Sequence, residues 1–202
     1  MSTHSRLVLT APRLAPLQGV LIGAVGGGVY WIAAQIWPAS IAVVLSMLAT
    51  ALLADAGARE PGSGVFGFVF AVLVKYNALM ALSAANLPYR LPANVALGLI
   101  MIAGHAASRA LVVSVLAQTA PPAAKPVSLG DLGIALALGF APAALIGLPG
   151  LFGLVAAIVA RIVFIAYIRR SRRSVGAAEL GMTGQLTEVC FYLGALAAWA
   201  YI

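Results

Sequence analysis

From Leu14 to Ala54 no charged side chain interrupts the chain, and further apolar runs follow it to the C-terminus. A segment of about 20 predominantly apolar residues is long enough to cross the hydrocarbon core of a bilayer as a helix. In lipid every backbone N–H and C=O must be satisfied within the protein, so a chain built of such runs has two choices, helices or a closed barrel. Continuous rather than alternating apolarity selects helices. Composition agrees: 63% of the residues are hydrophobic and 8% charged, against roughly 25% charged in a soluble domain. The mean hydropathy is +1.05.

The runs predict about seven spans. Leu14 to Ala54 divides into two at a tight turn near Trp37 and Pro38, with the second helix over Ala39 to Ala54. Val65 to Ala85 and Ala93 to Ala117 make the third and fourth. Leu132 to Leu148 and Leu151 to Ile168 make the fifth and sixth, separated by Pro149-Gly150, and Leu186 to Ile202 is a shorter seventh. With the N-terminus inside, the inner segments hold Arg6, Arg13, Arg59, Lys125, Arg169, Arg170, Arg172 and Arg173, and the outer ones only Arg90. That asymmetry is the positive-inside pattern. The expectation is an all-α polytopic transmembrane helical bundle with a cytoplasmic N-terminus, one integral membrane domain over 1–202. Residues 1–13 form a cytoplasmic segment and 169–183 a basic cytoplasmic loop.

The net charge of +7 does not point to nucleic acid, because the cations sit in short gaps between apolar runs. The lipid bilayer is the expected partner. Cys190 is the single cysteine and lies in an apolar run, so no internal disulfide can form. Gly19, Gly23 and Gly27 recur every four residues on the first span, a spacing that lets helices approach closely in lipid and permits a homo-oligomer.

Few residues are left to carry chemistry. His105 and Arg109 are four apart and share one face of the fourth span. A charge at membrane depth costs at least about 2.5 kcal/mol unless paired or wetted. The Arg109 guanidinium therefore calls for a polar cavity, an anionic ligand or a carboxylate partner, for which Glu188 is the candidate. Lys75 and Arg161 are read as snorkelling to the inner boundary. The five acids, Asp55, Glu60, Asp131, Glu179 and Glu188, all fall on or near the inner face. Polar chemistry is thus expected at the cytoplasmic boundary. The stretch Ala58 to Gly67 joins Arg59 and Glu60 to Gly62, Gly64 and Gly67 ahead of a helix; such a loop could cradle phosphate, with a carboxylate holding Mg²⁺. The stretch Gly181 to Glu188 reads as a polar entry to the last span, with Thr183 or Thr187 as a cap. Arg169 to Arg173 is a topology anchor, or a means of drawing in a polyphosphate.

Four stretches together resemble the cobalamin synthase family, the adenosylcobinamide-GDP ribazoletransferases. Pro16-Leu17-Gln18-Gly19-Val20-Leu21-Ile22-Gly23 with Tyr30-Trp31 is similar to the family's first helix. Arg59-Glu60 running into Gly64-Val65-Phe66-Gly67 resembles the end of its (K/R)DSRIGxxG motif. Gly104-His105-Ala106-Ala107-Ser108-Arg109 resembles its H-x-x-S-R helix. Gly181-Met182-Thr183-Gly184 followed by Gln185-Leu186-Thr187-Glu188 resembles its GxTGD … Q-x-x-E region. The chain departs from the pattern too. Of the family's DGLADxxDG run only Leu53-Ala54-Asp55-Ala56 remains, Glu60 stands in place of Asp, Pro61-Gly62 replace Ser-Arg, and Gln185 directly follows Gly184.

The resemblance implies a multi-pass enzyme of the cell inner membrane. It would join adenosylcobinamide-GDP to alpha-ribazole (or its phosphate), forming adenosylcobalamin (or correspondingly its phosphate) and GMP with Mg²⁺ as cofactor. It further implies Asp55 and Glu60 at the metal, and Arg59, Gly64, Gly67, Thr183 and Gly184 at the substrate. His105, Arg109 and Glu188 would be the catalytic group. Arg109 and Arg59 would meet phosphate charge, His105 would orient or move a proton, and Glu188 would partner Arg109 or add a ligand. The missing carboxylates favour an alternative, an impaired relative acting as a membrane scaffold. A small transporter is a third reading, opposed by the lack of an internal repeat.

Overall fold

The computed structural model describes residues 11–55, 65–84, 92–119, 127–171 and 175–199. Among them are seven α-helices and no strand: α1 (Ala15–Ala33), α2 (Ala39–Asp55), α3 (Val65–Ala84), α4 (Ala93–Thr119), α5 (Leu129–Leu145), α6 (Leu148–Arg170) and α7 (Ala177–Trp199). A single 3-10 turn, Pro12–Leu14, leads into α1. Three stretches are long and apolar enough to cross a membrane, Pro12–Ala33, Val95–Thr119 and Leu148–Arg170. Shorter apolar helices run over Ala39–Ala54, Val69–Ala84 and Leu129–Leu145. The expected helices all form, and the protein is an all-α membrane bundle.

Prolines mark several of the starts. Pro16 and Pro149 lie in the first turns of α1 and α6, where the missing N–H would have had no partner in any case. The carbonyl of Pro92 accepts from Val95 and Ala96 as α4 begins. Ser128 caps α5: its Oγ accepts from the Asp131 N–H at 3.0 Å and donates to Asp131 Oδ2 at 2.8 Å. At α7 the reciprocal half of such a box is seen, with Gly176 N–H donating to Glu179 Oε2 at 2.9 Å.

Three boundaries differ from expectation. The α5–α6 turn is at Ile146-Gly147, not Pro149-Gly150. Gly147 takes the corner at φ 76°, a conformation open to glycine, while Pro149 and Gly150 are already helical. The basic loop expected over 169–183 is much shorter, because α6 carries Arg169 and Arg170 in its last turn and α7 starts at Ala177. Basic side chains in a last turn complement the helix dipole. The last span accordingly begins well before Leu186, and its expected end at 200–202 lies outside the described residues.

α4 is the centre of the bundle, touching α1, α3, α5, α6 and α7. Its most extensive contact is with α1, and the glycine repeat is the reason. A Cβ on Gly23 would lie 2.5 Å from the Ile102 Cα, and one on Gly27 2.8 Å from the Gly98 Cα. Gly19 faces the backbone of His105 and Ala106. Rising numbers on α1 meet falling numbers on α4, so the two helices are antiparallel. The glycine face that would permit a homo-oligomer is therefore covered by α4. Gly153 and Gly194 do the same for α6 and α7. Small residues suit such contacts in lipid, where close approach rather than apolar burial drives association. Large apolar side chains point outward instead: Leu21 is 66%, Leu52 67%, Phe70 69% and Val155 63% exposed, the surface a bilayer would cover.

α1, α5 and α7 start at one end of the bundle, where α4 and α6 finish. Ala15, Val113 and Ala135 pack together there, as do Val115, Ile165 and Ile168. Arg13, Arg169 and Arg170 belong to this same end.

Candidate active site: a buried polar junction of α3, α4 and α7

Three buried ionisable residues of the described chain converge where α3, α4 and α7 meet. Lys75 of α3, His105 of α4 and Glu188 of α7 are all buried. Glu188 Oε1 is the focus, with Lys75 Nζ at 2.6 Å and the Tyr192 hydroxyl donating at 2.9 Å. His105 Nε2 lies 3.3 Å from the same oxygen, in an orientation that makes no hydrogen bond. Lys75 Nζ also stands 5.9 Å from the centre of the Tyr192 ring, within cation–π range. A carboxylate in so apolar a setting is stable only with such partners.

Local sequence explains the meeting. Glu188 and Tyr192 are one turn apart on α7 and present one face. Gly104 leaves the space that Tyr192 fills: a Cβ there would sit 2.6 Å from Tyr192 Cε1. Gly184 performs a milder version of this one turn below Glu188, facing Val112 of α4 at 3.5 Å. α4 and α7 are thus antiparallel, with Gly104 opposite Tyr192 and Val112 opposite Gly184.

His105 and Glu188 are brought together, and Arg109 lies one turn from His105 on α4. The expected Arg109–Glu188 bridge is not formed. Lys75 takes the carboxylate in its place, which also corrects its reading as a snorkelling residue: Lys75 is 6% exposed and turned inward. Arg109 is only partly buried and belongs to neither ion pair among the described residues. The signal available in the sequence was a lysine mid-way along an apolar helix, which is a functional pointer in a membrane.

Depth is a second correction. Because α7 begins at Ala177, Glu188 lies near mid-helix, and so do Lys75 in α3 and His105 in α4. The junction sits well inside the bundle and not at its boundary. Thr183 and Thr187 are buried helix-interior residues whose hydroxyls donate back to Glu179 O and Thr183 O, at 2.8 and 2.7 Å. They are not caps, since the helix already uses their backbone N–H groups. Arg161 donates from Nη2 to the Ser114 carbonyl at 3.2 Å, tying α6 to α4, and its buried Nε has no partner.

Asp55 ends α2 and Gly67 lies in the first turn of α3. Arg59, Glu60 and Gly64 lie outside the described residues. Among the described residues no three His, Cys, Asp or Glu side chains cluster as a metal site. Asp131 and Glu179 are engaged in capping, and Glu188 by Lys75.

The chain resembles three bacterial proteins named adenosylcobinamide-GDP ribazoletransferase. That of Ralstonia pickettii is 33% identical over 180 aligned positions, covering 67% of each chain. The chain belongs to this family. The protein of Ralstonia nicotianae is 31% identical over 174 positions, covering 68% of this chain and 65% of the relative. For Leptothrix cholodnii the values are 34% over 160 positions, 64% and 60%. The chain thus spans 60–67% of the length of the ribazoletransferases it matches. No family model matches it, and no solved structure does.

Proposed function

We propose that the protein is a membrane transferase that joins adenosylcobinamide-GDP to alpha-ribazole, or its phosphate, giving adenosylcobalamin, or correspondingly its phosphate, and GMP. The observation that carries the reading is the charge the described residues bring to the α3–α4–α7 junction of a ribazoletransferase relative: Lys75 is paired with Glu188, while Arg109, one turn from His105, belongs to neither ion pair. Such a site suits a substrate that brings a pyrophosphate.

The reaction is attack of a ribose hydroxyl on the pyrophosphate phosphorus that carries cobinamide. One P–O bond forms, the bond to the GMP oxygen breaks, and the hydroxyl proton is released. Transfer of this kind depends mainly on positioning and on neutralising charge. Arg109 would hold phosphate oxygens, with Arg59 as a second cation. His105, one turn away, would orient the hydroxyl or take its proton. Glu188 is engaged by Lys75 and Tyr192.

Mg²⁺ is commonly held by one or two carboxylates together with substrate phosphates and water. Asp55 and Glu60 would be those carboxylates, and the ion would supply charge neutralisation at the phosphates. By the positive-inside pattern the end bearing Arg13, Arg169 and Arg170 faces the cytoplasm, which makes the protein a multi-pass component of the cell inner membrane. The reduced set of carboxylates in the sequence favours one second reading, a catalytically impaired relative that serves as a membrane scaffold.

Turnover by purified protein in detergent tests the proposal. Adenosylcobinamide-GDP, alpha-ribazole and Mg²⁺ should give GMP and cobalamin together, and EDTA should stop both. Arg109→Ala and Glu60→Ala should each lower GMP release by about a hundredfold, the scale set by removing one preorganised charge-stabilising group. Folded native protein without product would favour the scaffold.

A further inference from the structure

We propose that Lys75 is a positioning residue whose task is to sequester Glu188, so that the Arg109 guanidinium stays open for a phosphate or pyrophosphate group. Glu188 is the one buried carboxylate among the described residues; it pairs with Lys75 and also acts electrostatically on Arg109. It has been taken by Lys75, at 2.6 Å and through a single oxygen. Arg109, on the next turn of α4 from His105, is left outside both ion pairs of the described residues and keeps part of its surface open.

The division of labour matches the chemistry of the two cations. An ammonium is a compact point charge that satisfies one carboxylate oxygen well. A guanidinium offers a planar fork of donors that fits two phosphate oxygens at once. Had Arg109 closed on Glu188, the fork would be spent inside the protein. With Lys75 in place, Arg109 is a cation that no described carboxylate pairs, in an apolar setting where an uncompensated cation is costly. An anion relieves that cost. The Tyr192 hydroxyl, donating to the same Oε1, further fixes the carboxylate on the Lys75 side.

That the anion is the pyrophosphate of the transferase substrate rests on the function proposed above; the sequestering of Glu188 does not. The test is calorimetric binding of inorganic pyrophosphate to the full chain in nanodiscs. EDTA is present, and the pH is about 8.5, where an imidazole is ordinarily neutral and cannot replace Lys75 as the counter-ion. Arg109→Gln should weaken binding by about tenfold or more. Lys75→Met should do the same although Arg109 is intact, because Glu188 then turns to Arg109. Lys75→Met/Glu188→Gln should return affinity to within about threefold of native, a coupling that a double-mutant cycle isolates. Glu188→Gln alone, which needs no folding of the Lys75 variant, should bind as well as native or more tightly.

Native affinity in Lys75→Met or in Arg109→Gln would overturn the proposal. So would no rescue in the double variant, tenfold weaker binding by Glu188→Gln, or no pyrophosphate binding by native protein. GMP release is measured in parallel. The expected binding pattern without GMP release would uphold Lys75's role and defeat the transferase reading.

Discussion

Two faces of α4 solve opposite problems. Toward α1 it presents Gly98, Ile102 and the backbone of His105 and Ala106, against which the α1 glycines close with no polar side chain involved. Toward α3 and α7 it presents the His105 ring and, one turn on, Arg109, beside a carboxylate held by Lys75 and Tyr192. His105 takes part in both, its backbone in the seam and its side chain in the junction. The comparison teaches that a membrane bundle can keep shape and charge on separate sides of one helix. The glycine seam sets where α4 lies, and the junction can then hold polar groups it would not have selected for stability alone.

The largest effect that would break this separation is loss of Lys75. Lys75→Met leaves the Glu188 carboxylate without its counter-ion and should cost about 3 kcal/mol, the lower end for breaking a buried pair. Re-pairing with Arg109 offsets part of the loss. Thermal unfolding in detergent reads it, and Lys75→Met/Glu188→Gln should recover most of it. A full-sized loss persisting in the double variant would mean that Lys75 matters for packing and not for charge.

On the other face, Gly23→Ala should cost about 2 kcal/mol, since its Cβ would meet the Ile102 and Met101 backbone at 2.5–2.8 Å and backbone cannot yield as a side chain does. If the two faces are independent, this variant and Lys75→Met are additive within about 0.5 kcal/mol. Tyr192→Phe removes one hydrogen bond to Glu188 and should cost about 1 kcal/mol, read by the same unfolding midpoint. The smallest effect belongs to Gly28, where nothing lies within 4 Å of an added Cβ. Gly28→Ala should be neutral or stabilise by up to about 1 kcal/mol, and a large loss there would show that the α1 glycines are needed for something other than close approach.

Much of the fold was legible because lipid leaves a chain so few options. Helix bounds followed the apolar runs closely in α1 to α4. They failed where polar residues were taken for loop: Arg169 and Arg170 end α6 as favourable last-turn charges, and Gly181 to Glu188 is helical, with Thr183 and Thr187 satisfying their hydroxyls on carbonyls of the preceding turn. Pro149 and Gly150 read as a break for the same reason, since neither residue alone says on which side of a turn it stands. Of the site, His105, Arg109 and Glu188 were recognisable as charges in the wrong solvent. Lys75 carries the same signal, but a lysine stem can reach an interface, and nothing local to it says otherwise.

The sequence by itself determined that this is a helical membrane protein and which few residues in it are too polar for their surroundings, because hydrophobic length and charge cost are properties of each segment alone. Only the tertiary structure decided which cation takes Glu188. That choice depends on how the α1 glycines seat α4, and on α3 and α7 lying side by side, which puts Lys75 rather than Arg109 against the carboxylate. Pairing between residues so distant in the chain is set by distance in space, and no run, spacing or motif within a single helix encodes it.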